Sequence, residues 1–369
     1  MDATDVGDPI FAKDRAETTV QALLKLNRWQ WWILVGLNIF FVVAGQTAAV
    51  LLGRFYYNEG GASTFLATLV QTAGFPILFI PLLFIPASNK SPTPPDSLSR
   101  KYIFLIYIFL GIIVAGDNFL YSKGLLYLSA STYSLICATQ LAFNAVFSYF
   151  INSQKFTPLI LNAVVILSYS AALLGVNESS DAPEGVTKSQ YAVGFICSIS
   201  ASALYSLVLS LMQLTFEKAI KKSTFSVVLE MQIYTSIVAS IVTVVALFVS
   251  GQWRDLEGEM HGYHTGKVSY VLTQVGTAVC WQVCSVGVVG LIFLVTSLFS
   301  NVISTVALVV GPIASVVVFH DKMNGVKIIA MLSALWGFVS YIYQNYLDDY
   351  RSTELRRQME ANDSRVTAC

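Results

Sequence analysis

The sequence predicts an all-α integral membrane protein with ten transmembrane helices, arranged as two inverted five-helix repeats. Three observations lead to this prediction. First, the chain is 55% hydrophobic and 12% charged, with a mean hydropathy of +0.64, whereas soluble domains carry roughly 25% charged residues. Second, the apolar residues fall into ten segments of membrane-spanning length. Third, a stretch at the end of one segment recurs at the end of another in the second half of the chain.

Each predicted helix is an apolar segment of about 20 residues, the length needed to cross the hydrocarbon core. Charged or Gly/Ser/Pro-rich stretches separate most of the segments. The weakest boundary lies within 268–319, which contains no Lys, Arg, Asp or Glu. That stretch is too long for one span and long enough for two. The predicted segments are 31–52, 64–86, 102–122, 128–151, 158–176, 191–214, 226–250, 268–290, 296–318 and 326–346.

Two segments contain prolines, which remove a backbone hydrogen bond and kink a helix. Pro76, Pro81 and Pro86 lie along the second segment, and Gly311-Pro312 is expected to interrupt the ninth. Such breaks can free backbone carbonyls toward a cavity or permit bending. Ordinary tolerance of proline in a membrane helix is the alternative.

The internal repeat predicts how the helices are organised. The sequence 124–134 matches 290–300, with five of the eleven positions identical and three conservatively changed. Five spans per half is an odd number, so the two halves enter the membrane from opposite sides, as in transporters built from inverted repeats. The expected division is a cytoplasmic tail (1–28), a first repeat (29–176), an outer linker (177–190), a second repeat (191–346) and a cytoplasmic tail (347–369).

The distribution of Lys and Arg predicts the orientation of the chain. If ten spans are assumed, 15 of the 22 Lys and Arg residues lie on the face that holds both termini. Cytoplasmic loops carry the excess of these residues, so both termini are predicted to be cytoplasmic.

Several function classes find no support in the sequence. The formal net charge is zero, which gives no basic surface for nucleic acid. No nucleophile–base motif, phosphate loop or metal-ligand spacing is present. We therefore expect no catalytic residues, no cofactor and no metal, and the sequence leaves the oligomeric state open.

Two acidic residues lie inside predicted spans, where an ionisable group is costly and is a functional candidate by default. Asp117 and Glu230 each sit about one turn inside the end of a segment. A carboxyl group there could bind and release a proton near neutral pH and couple transport to a proton gradient. The alternative is a headgroup-level or paired carboxylate, with Lys123 near Asp117 and Lys221 near Glu230.

The spans otherwise carry neutral polar groups. No Lys or Arg lies deep within any predicted segment, so phosphate groups would lack cationic partners, and the cargo is expected to be neutral or weakly basic. An amide offers a donor and an acceptor side by side, as a heterocyclic base does, and a Trp face can stack an aromatic ring. Interhelical packing is the alternative. The candidate substrate-binding residues are Gln46, Asn118, Tyr121, Gln140, Asn144, Trp281 and Gln282.

Six motifs allow a comparison with a known family. They are YSKGLLYL at 121–128, STYSL at 131–135, the stretch 137–157, SLFSNVIS at 297–304, FHDKMNGVK at 319–327 and WGFVSY at 336–341. Together they resemble the plant purine permease family of the drug/metabolite transporter superfamily. The resemblance covers about 30–345 and implies ten spans in two five-helix halves.

The resemblance also implies a function, namely proton-coupled import of adenine-like bases, cytokinins and related nitrogen heterocycles across a membrane. The family pattern is carried over at Asp117-Asn118, Gln140, Asn144 and Trp281-Gln282. A permease of the same fold for alkaloids or pyridoxine-like vitamins is one alternative, and a membrane receptor that binds such ligands without transport is another. The plasma membrane is the expected location.

Overall fold

The computed structural model describes residues 28–84, 100–151, 157–176, 183, 185–215, 225–294 and 297–366, and these residues form helices joined by short connections. Within these ranges, eight helices are long and apolar enough to cross a membrane. Two shorter apolar helices, Thr64–Leu78 and Pro158–Leu174, accompany them. Helices are the expected element, because backbone groups in lipid must find hydrogen-bond partners within their own segment.

The helices are numbered along the chain. Two 3-10 turns, Phe75–Leu78 and Gln252–Arg254, lie between helices. The helices are α1 (Arg28–Asn58), α2 (Thr64–Ala73), α3 (Phe79–Phe84), α4 (Arg100–Tyr127), α5 (Ala130–Cys137), α6 (Gln140–Ile151), α7 (Pro158–Val176), α8 (Lys188–Leu214), α9 (Phe225–Val249), α10 (Leu256–Gly262), α11 (Lys267–Leu294), α12 (Ser297–Phe319) and α13 (Gly325–Val366).

Two predicted segments are broken rather than continuous. The second is divided at Gly74, and Pro76 at the start of the 3-10 turn cannot donate a helical hydrogen bond. The fourth is divided between α5 and α6, where the Thr139 hydroxyl donates to the Ile136 carbonyl at 2.7 Å. Such a local side-chain bond competes with the helical pattern of the backbone.

Of the two interpretations of Gly311-Pro312, the structure confirms ordinary tolerance of proline, and the expected interruption of the ninth segment was wrong. Pro312 lies inside α12, which runs without a break from Ser297 to Phe319. A membrane helix tolerates the loss of one hydrogen bond where neighbouring helices support it. Here Gly311 is in close contact with Ser134 of α5, since a Cβ at Gly311 would lie 2.8 Å from the Ser134 hydroxyl oxygen.

Part of the predicted C-terminal tail is helical. Helix α13 continues beyond the last predicted span to Val366, because 347–366 is rich in Leu, Glu, Arg, Gln, Met and Ala, which favour helix. Residues 1–27 of the predicted first tail lie outside the described residues. So do 177–182 and 184 of the predicted linker, together with Lys221 and Pro86.

The outer surface of the bundle is apolar. Large hydrophobic side chains are exposed on α1, α4, α9, α11 and α13, among them Phe40, Phe104, Val245, Leu272 and Trp336. A water-soluble monomer rarely exposes apolar surface on this scale. The described helices therefore form an integral membrane protein whose outward-facing side chains contact lipid.

Helices from the two parts of the chain pack against each other pairwise. The most extensive contact joins α1 to α11, and α1 also packs on α12. In the same way, α8 packs on α4 and on α6. The remaining principal pairs are α4 with α9, α2 with α11, α2 with α9, α5 with α12 and α7 with α13.

Glycines allow the closest of these contacts. A Cβ on Gly45 of α1 would lie 2.8 Å from the Cys284 backbone nitrogen of α11, and one on Gly287 would lie 2.8 Å from the Asn38 carbonyl oxygen. Small residues at interhelical contacts are how membrane helices gain van der Waals packing. Between α4 and α8 the equivalent positions are Gly124 and Gly194, whose added Cβ atoms would each lie 3.5 Å from a backbone oxygen of the facing helix.

Two glycines of α1 provide a matched test of this contact. Gly45→Ala should lower the free energy of unfolding by about 1–3 kcal/mol, because the new methyl group meets the α11 backbone. Gly36→Ala should be neutral or stabilising by up to about 1 kcal/mol, since a Cβ there meets nothing within 4 Å. Thermal unfolding of the purified variants in detergent measures both effects, and equal melting temperatures would contradict the assignment.

Candidate substrate cavity

A cavity opens between α1, α2, α4, α5 and α11, near the end of the bundle where α1 ends and α11 begins. We call this the Glu259 end, after the residue that closes it. The lining contains no charged side chain. The lining residues are Ala49, Val50, Gly53, Tyr56, Tyr57, Ala67, Val70, Gln71, Tyr121, Ser122, Leu125, Tyr133, Gln274, Thr277 and Trp281.

Helical periodicity brings these residues together. On α11, Gln274, Thr277 and Trp281 are spaced three and four residues apart, which places them on one face of the helix. Positions 49, 50, 53, 56 and 57 of α1 follow the same pattern. Because α11 comes from the second half of the chain and the other lining helices come from the first, the cavity lies between the two halves.

The aromatic side chains form much of the wall. The rings of Tyr121 and Tyr133 meet edge to face with centroids 6.0 Å apart, and Tyr121 meets Tyr205 in the same way at 6.5 Å. Trp281 packs against the same cluster. The free space within is about 20 Å³, room for about one water molecule. A heterocyclic ring therefore requires these side chains to move apart.

Polar groups of the wall are tied to one another. The Gln71 Nε2 amide donates to the Ser122 hydroxyl at 2.9 Å and to the Asn118 carbonyl at 3.2 Å. The Tyr57 hydroxyl donates to the Ser122 carbonyl at 3.1 Å. Gln274 differs, because its Nε2 atom is buried and has no hydrogen-bond partner among the described residues.

Glu259 of α10 closes one end of the cavity. Its carboxylate accepts hydrogen bonds from the Tyr56 hydroxyl and from the Tyr270 hydroxyl at 3.1 Å. The backbone N–H groups of Ala62 and Ser63 also donate to it, each at 3.1 Å. The α1–α2 connection, α1 and α11 are therefore joined at one carboxylate, directly above the cavity-lining ring of Tyr56.

Of the seven predicted substrate-binding residues, Tyr121 and Trp281 line the cavity. Gln46 is buried on the cavity-facing side of α1, one turn before Ala49 and Val50. The backbone carbonyl of Asn118 accepts a hydrogen bond from the side chain of the lining residue Gln71.

Like Gln46 and Asn118, the other three predicted amides are not among the lining residues. Gln282 is buried against α2, where its Nε2 donates to the Gln71 carbonyl at 3.4 Å and its Oε1 has no partner among the described residues. Gln140 begins α6 and is buried, and its carbonyl accepts from the Ser206 hydroxyl at 2.7 Å. Asn144 lies one turn further along α6 and is partly buried. The pair Gln140 and Asn144 is therefore separate from the cavity described above.

Asp117 is enclosed within the bundle. Its side chain is 3% exposed, and its Oδ1 atom has no hydrogen-bond partner in the described structure. It precedes Tyr121 by four residues on α4 and so shares its helix face, which places it next to the aromatic wall. Lys123 instead extends toward Phe119 and Tyr127, with Nζ 5.9 Å from each ring centroid.

Glu230 has a different environment. Its side chain is exposed in the second turn of α9 and does not belong to the cavity lining. It acts electrostatically on Tyr107 of α4. The two predicted proton-coupling acids are thus one enclosed carboxyl beside the cavity and one exposed carboxyl near a helix end.

The sequence interpretation missed most of the polar lining. Gln71 and Gln274 are amides within predicted spans, but they were not singled out. The available signal was spacing, since Gln274 precedes Trp281 by seven residues and so shares its helix face. The other missed lining residues with polar groups are Tyr56, Tyr57, Ser122, Tyr133 and Thr277.

Two cations near the ends of helices were also missed. Both Arg54 of α1 and Lys327 of α13 are buried, with exposed fractions of 7% and 0%. Arg54 donates to the carbonyls of Leu125 and Leu126 at 2.8 and 3.0 Å. Both residues lie near the ends of their helices, so neither is deep within a span along the helix axis. Their side chains are nevertheless enclosed by protein.

A carboxylate accompanies these cations. The Lys327 ammonium group donates to the Ser131 hydroxyl at 2.7 Å, and that hydroxyl donates to Asp321 at 2.9 Å. The Ser315 hydroxyl also donates to Asp321, and Asp321 interacts electrostatically with Arg54. We call Arg54, Asp321 and Lys327 the buried charge cluster. Among the described residues, no group of three or more His, Cys, Asp or Glu side chains could hold a metal ion.

Comparison with known proteins gives a consistent result. Residues 33–351 match a family model described as purine nucleobase transmembrane transport. The chain is 66% identical over 355 residues to probable purine permease 11 of Arabidopsis thaliana, covering 96% of this chain and 94% of that protein. It is 58% identical to probable purine permease 13 of the same plant, over 90% of this chain and 92% of the relative.

A third relative is purine permease 21 of Arabidopsis thaliana, which is 51% identical over 90% of this chain and 85% of its own length. These matches run through both halves of the chain and include all the helices that line the cavity. The chain belongs to the purine permease family of membrane transporters, and it is not an enzyme.

Proposed function

We propose that this protein is a proton-coupled secondary transporter that imports purine bases, cytokinins or similar nitrogen heterocycles. The observation that carries the proposal is the cavity, whose wall combines aromatic rings with amide groups and contains no charged side chain among its described lining residues. Aromatic faces stack flat heterocycles, and amides pair with the donor and acceptor groups at a ring edge.

The charge of the wall favours a neutral cargo. A phosphate-bearing ligand needs Arg or Lys groups that can reach it. The guanidinium group of Arg54, which follows the lining residue Gly53, is engaged by two backbone carbonyls of α4. The free base is therefore a better match to this cavity than a nucleotide.

The arrangement of the helices supports a ten-span, inverted-repeat architecture. Helix α7 has 19 residues, a length of about 28 Å, and α2 continues through the 3-10 turn into α3. We propose that these elements also cross the membrane. The contacts also follow the expected symmetry, in which each span corresponds to the one five spans away. Under this correspondence the contact of α1 with α11 matches that of α8 with α4. The contact of α1 with α12 matches that of α8 with α6. The proposed repeats are 29–176 and 191–346.

We propose that the cavity faces the outside of the plasma membrane and that both termini are cytoplasmic. The excess of Lys and Arg on the terminal face supports this orientation. The Glu259 end then lies outside, and its closure separates the cavity from the external solution. Alternating access requires this end and the opposite end to open in turn as the two repeats rock.

We assign proton coupling to Asp117. An ionisable group enclosed in a membrane protein marks a proton or substrate pathway by default, and this carboxyl group lies beside the aromatic wall. The exposed Glu230 lacks such an environment. Protonation of Asp117 on the outside and release on the inside would couple the two half-cycles.

Uptake of labelled adenine into proteoliposomes tests the proposed function. We expect uptake to rise with an imposed inward proton gradient and to fall when a protonophore dissipates the gradient while the membrane potential is clamped. Uptake that does not respond to the gradient would contradict proton coupling, and saturable binding without uptake would indicate a receptor. Unlabelled cytokinins, nicotine and pyridoxine as competitors rank the substrate classes, and stronger inhibition by the last two would favour the alkaloid or vitamin alternative.

The two acids provide a matched test of the coupling residue. Asp117→Asn should abolish gradient-driven accumulation and retain exchange of labelled for unlabelled adenine, because the variant keeps the cavity and loses the titrating group. Removal of one essential proton-transfer group typically lowers a rate by about 10²–10⁴-fold. Glu230→Gln should retain both activities. Full gradient-driven uptake by Asp117→Asn would move the coupling role to another residue.

A further inference from the structure

The α11 side of the cavity carries one amide whose role neither packing nor closure explains. Gln274 lies between Tyr270 and Thr277 on the helix face that ends at Trp281, and it lines the cavity. Its Nε2 atom is buried and has no hydrogen-bond partner among the described residues. Its Oε1 atom accepts no hydrogen bond from them either, so the whole amide is available to a ligand.

The other hydroxyl and amide side chains of the lining are already engaged. Buried polar groups in proteins are nearly always hydrogen-bonded, and an exception calls for an explanation. Gln274 carries the one buried side-chain polar atom of the described lining that has no partner. The partners of the others are Glu259 for Tyr56, Ser122 for Tyr57 and Gln71, Ser202 for Tyr121, Cys137 for Tyr133 and Thr273 for Thr277.

The position of Gln274 suits contact with the edge of a stacked ring. It precedes Trp281 by seven residues, a rise of about 10 Å along the helix, on the same face. A bicyclic ring against the Trp281 indole, together with the extended glutamine side chain, bridges this distance. Gly53 and Ala49 on the facing helix α1 contribute no polar side chain to the same region.

We infer that Gln274 is a specificity-determining residue that pairs with the amino edge of a bound aminopurine. Its Nε2 donates to a ring nitrogen next to the exocyclic amino group, and its Oε1 accepts from that amino group, which is the bidentate pairing that glutamine makes with adenine. This inference rests on the proposed transport of purine bases. It assigns to Gln274 the edge recognition that the sequence suggested for Gln140, Asn144 and Asn118.

Uptake of adenine analogues by reconstituted full-length protein tests the assignment. The analogues are 1-deazaadenine and 7-deazaadenine, each of which lacks one ring nitrogen beside the amino group. The wild type should take up one of them about tenfold less efficiently than adenine, the discrimination expected of a good bidentate pair. Gln274→Met should lose about the same factor for adenine and should no longer distinguish adenine from that analogue.

Further variants separate recognition from folding. Gln274→Met removes no hydrogen bond to the protein, so its melting temperature without ligand should not fall, whereas a structural role would lower it. Gln274→Glu keeps the acceptor and loses the donor, and it should also lose the discrimination. Gln232→Met, which changes a partly buried amide of α9 outside the lining, should behave as wild type.

The outcomes have distinct meanings. A Gln274→Met protein that transports adenine and keeps the wild-type ratio between adenine and both analogues would overturn the assignment. Equal transport of adenine and both analogues by the wild type would do the same. If the wild type transports no purine at all, the proposed function has failed, and the role of Gln274 fails with it.

Discussion

The close contact between α1 and α11 is the constraint on which the rest of the structure depends. Membrane helices gain little from hydrophobic burial, so they associate through close van der Waals packing. Gly45 and Gly287 allow the two backbones to come within contact distance. Trp281 and Gln274, which line the cavity, lie on α11 toward the Glu259 end of the same helix pair. The α1–α11 contact therefore holds the α1 wall of the cavity against the α11 wall.

The cavity combines engaged and unengaged polar groups. Tyr57 and Gln71 are tied into the protein by hydrogen bonds, which hold the aromatic wall in place. Gln274 and Asp117 each keep a buried polar atom without a partner among the described residues. Such atoms lower stability unless a ligand or proton satisfies them. We interpret the Gln274 amide as a group that binds the substrate and the Asp117 carboxyl as the group that binds the proton.

The sequence predicted the membrane class, the approximate positions of the helices and two cavity residues, Tyr121 and Trp281. It did so because apolar length and aromatic placement are local properties of the chain. The sequence could not show that Gln140 and Asn144 lie outside the cavity. Their spacing shows that they share a helix face, but it does not show which helices that face contacts. The same limit applies to Pro312, because the sequence did not show whether the helix is interrupted or continuous at this residue.

The buried charge cluster has an electrical consequence. Arg54, Lys327 and Asp321 carry a formal net charge of +1, and they link α1, the α4–α5 connection and the α12–α13 connection. A conformational change that displaces the cluster along the membrane normal moves charge through part of the transmembrane field. One elementary charge moved fully across corresponds to about 2.3 kcal/mol per 100 mV. Any such displacement makes the balance between conformations respond to membrane voltage as well as to substrate and proton.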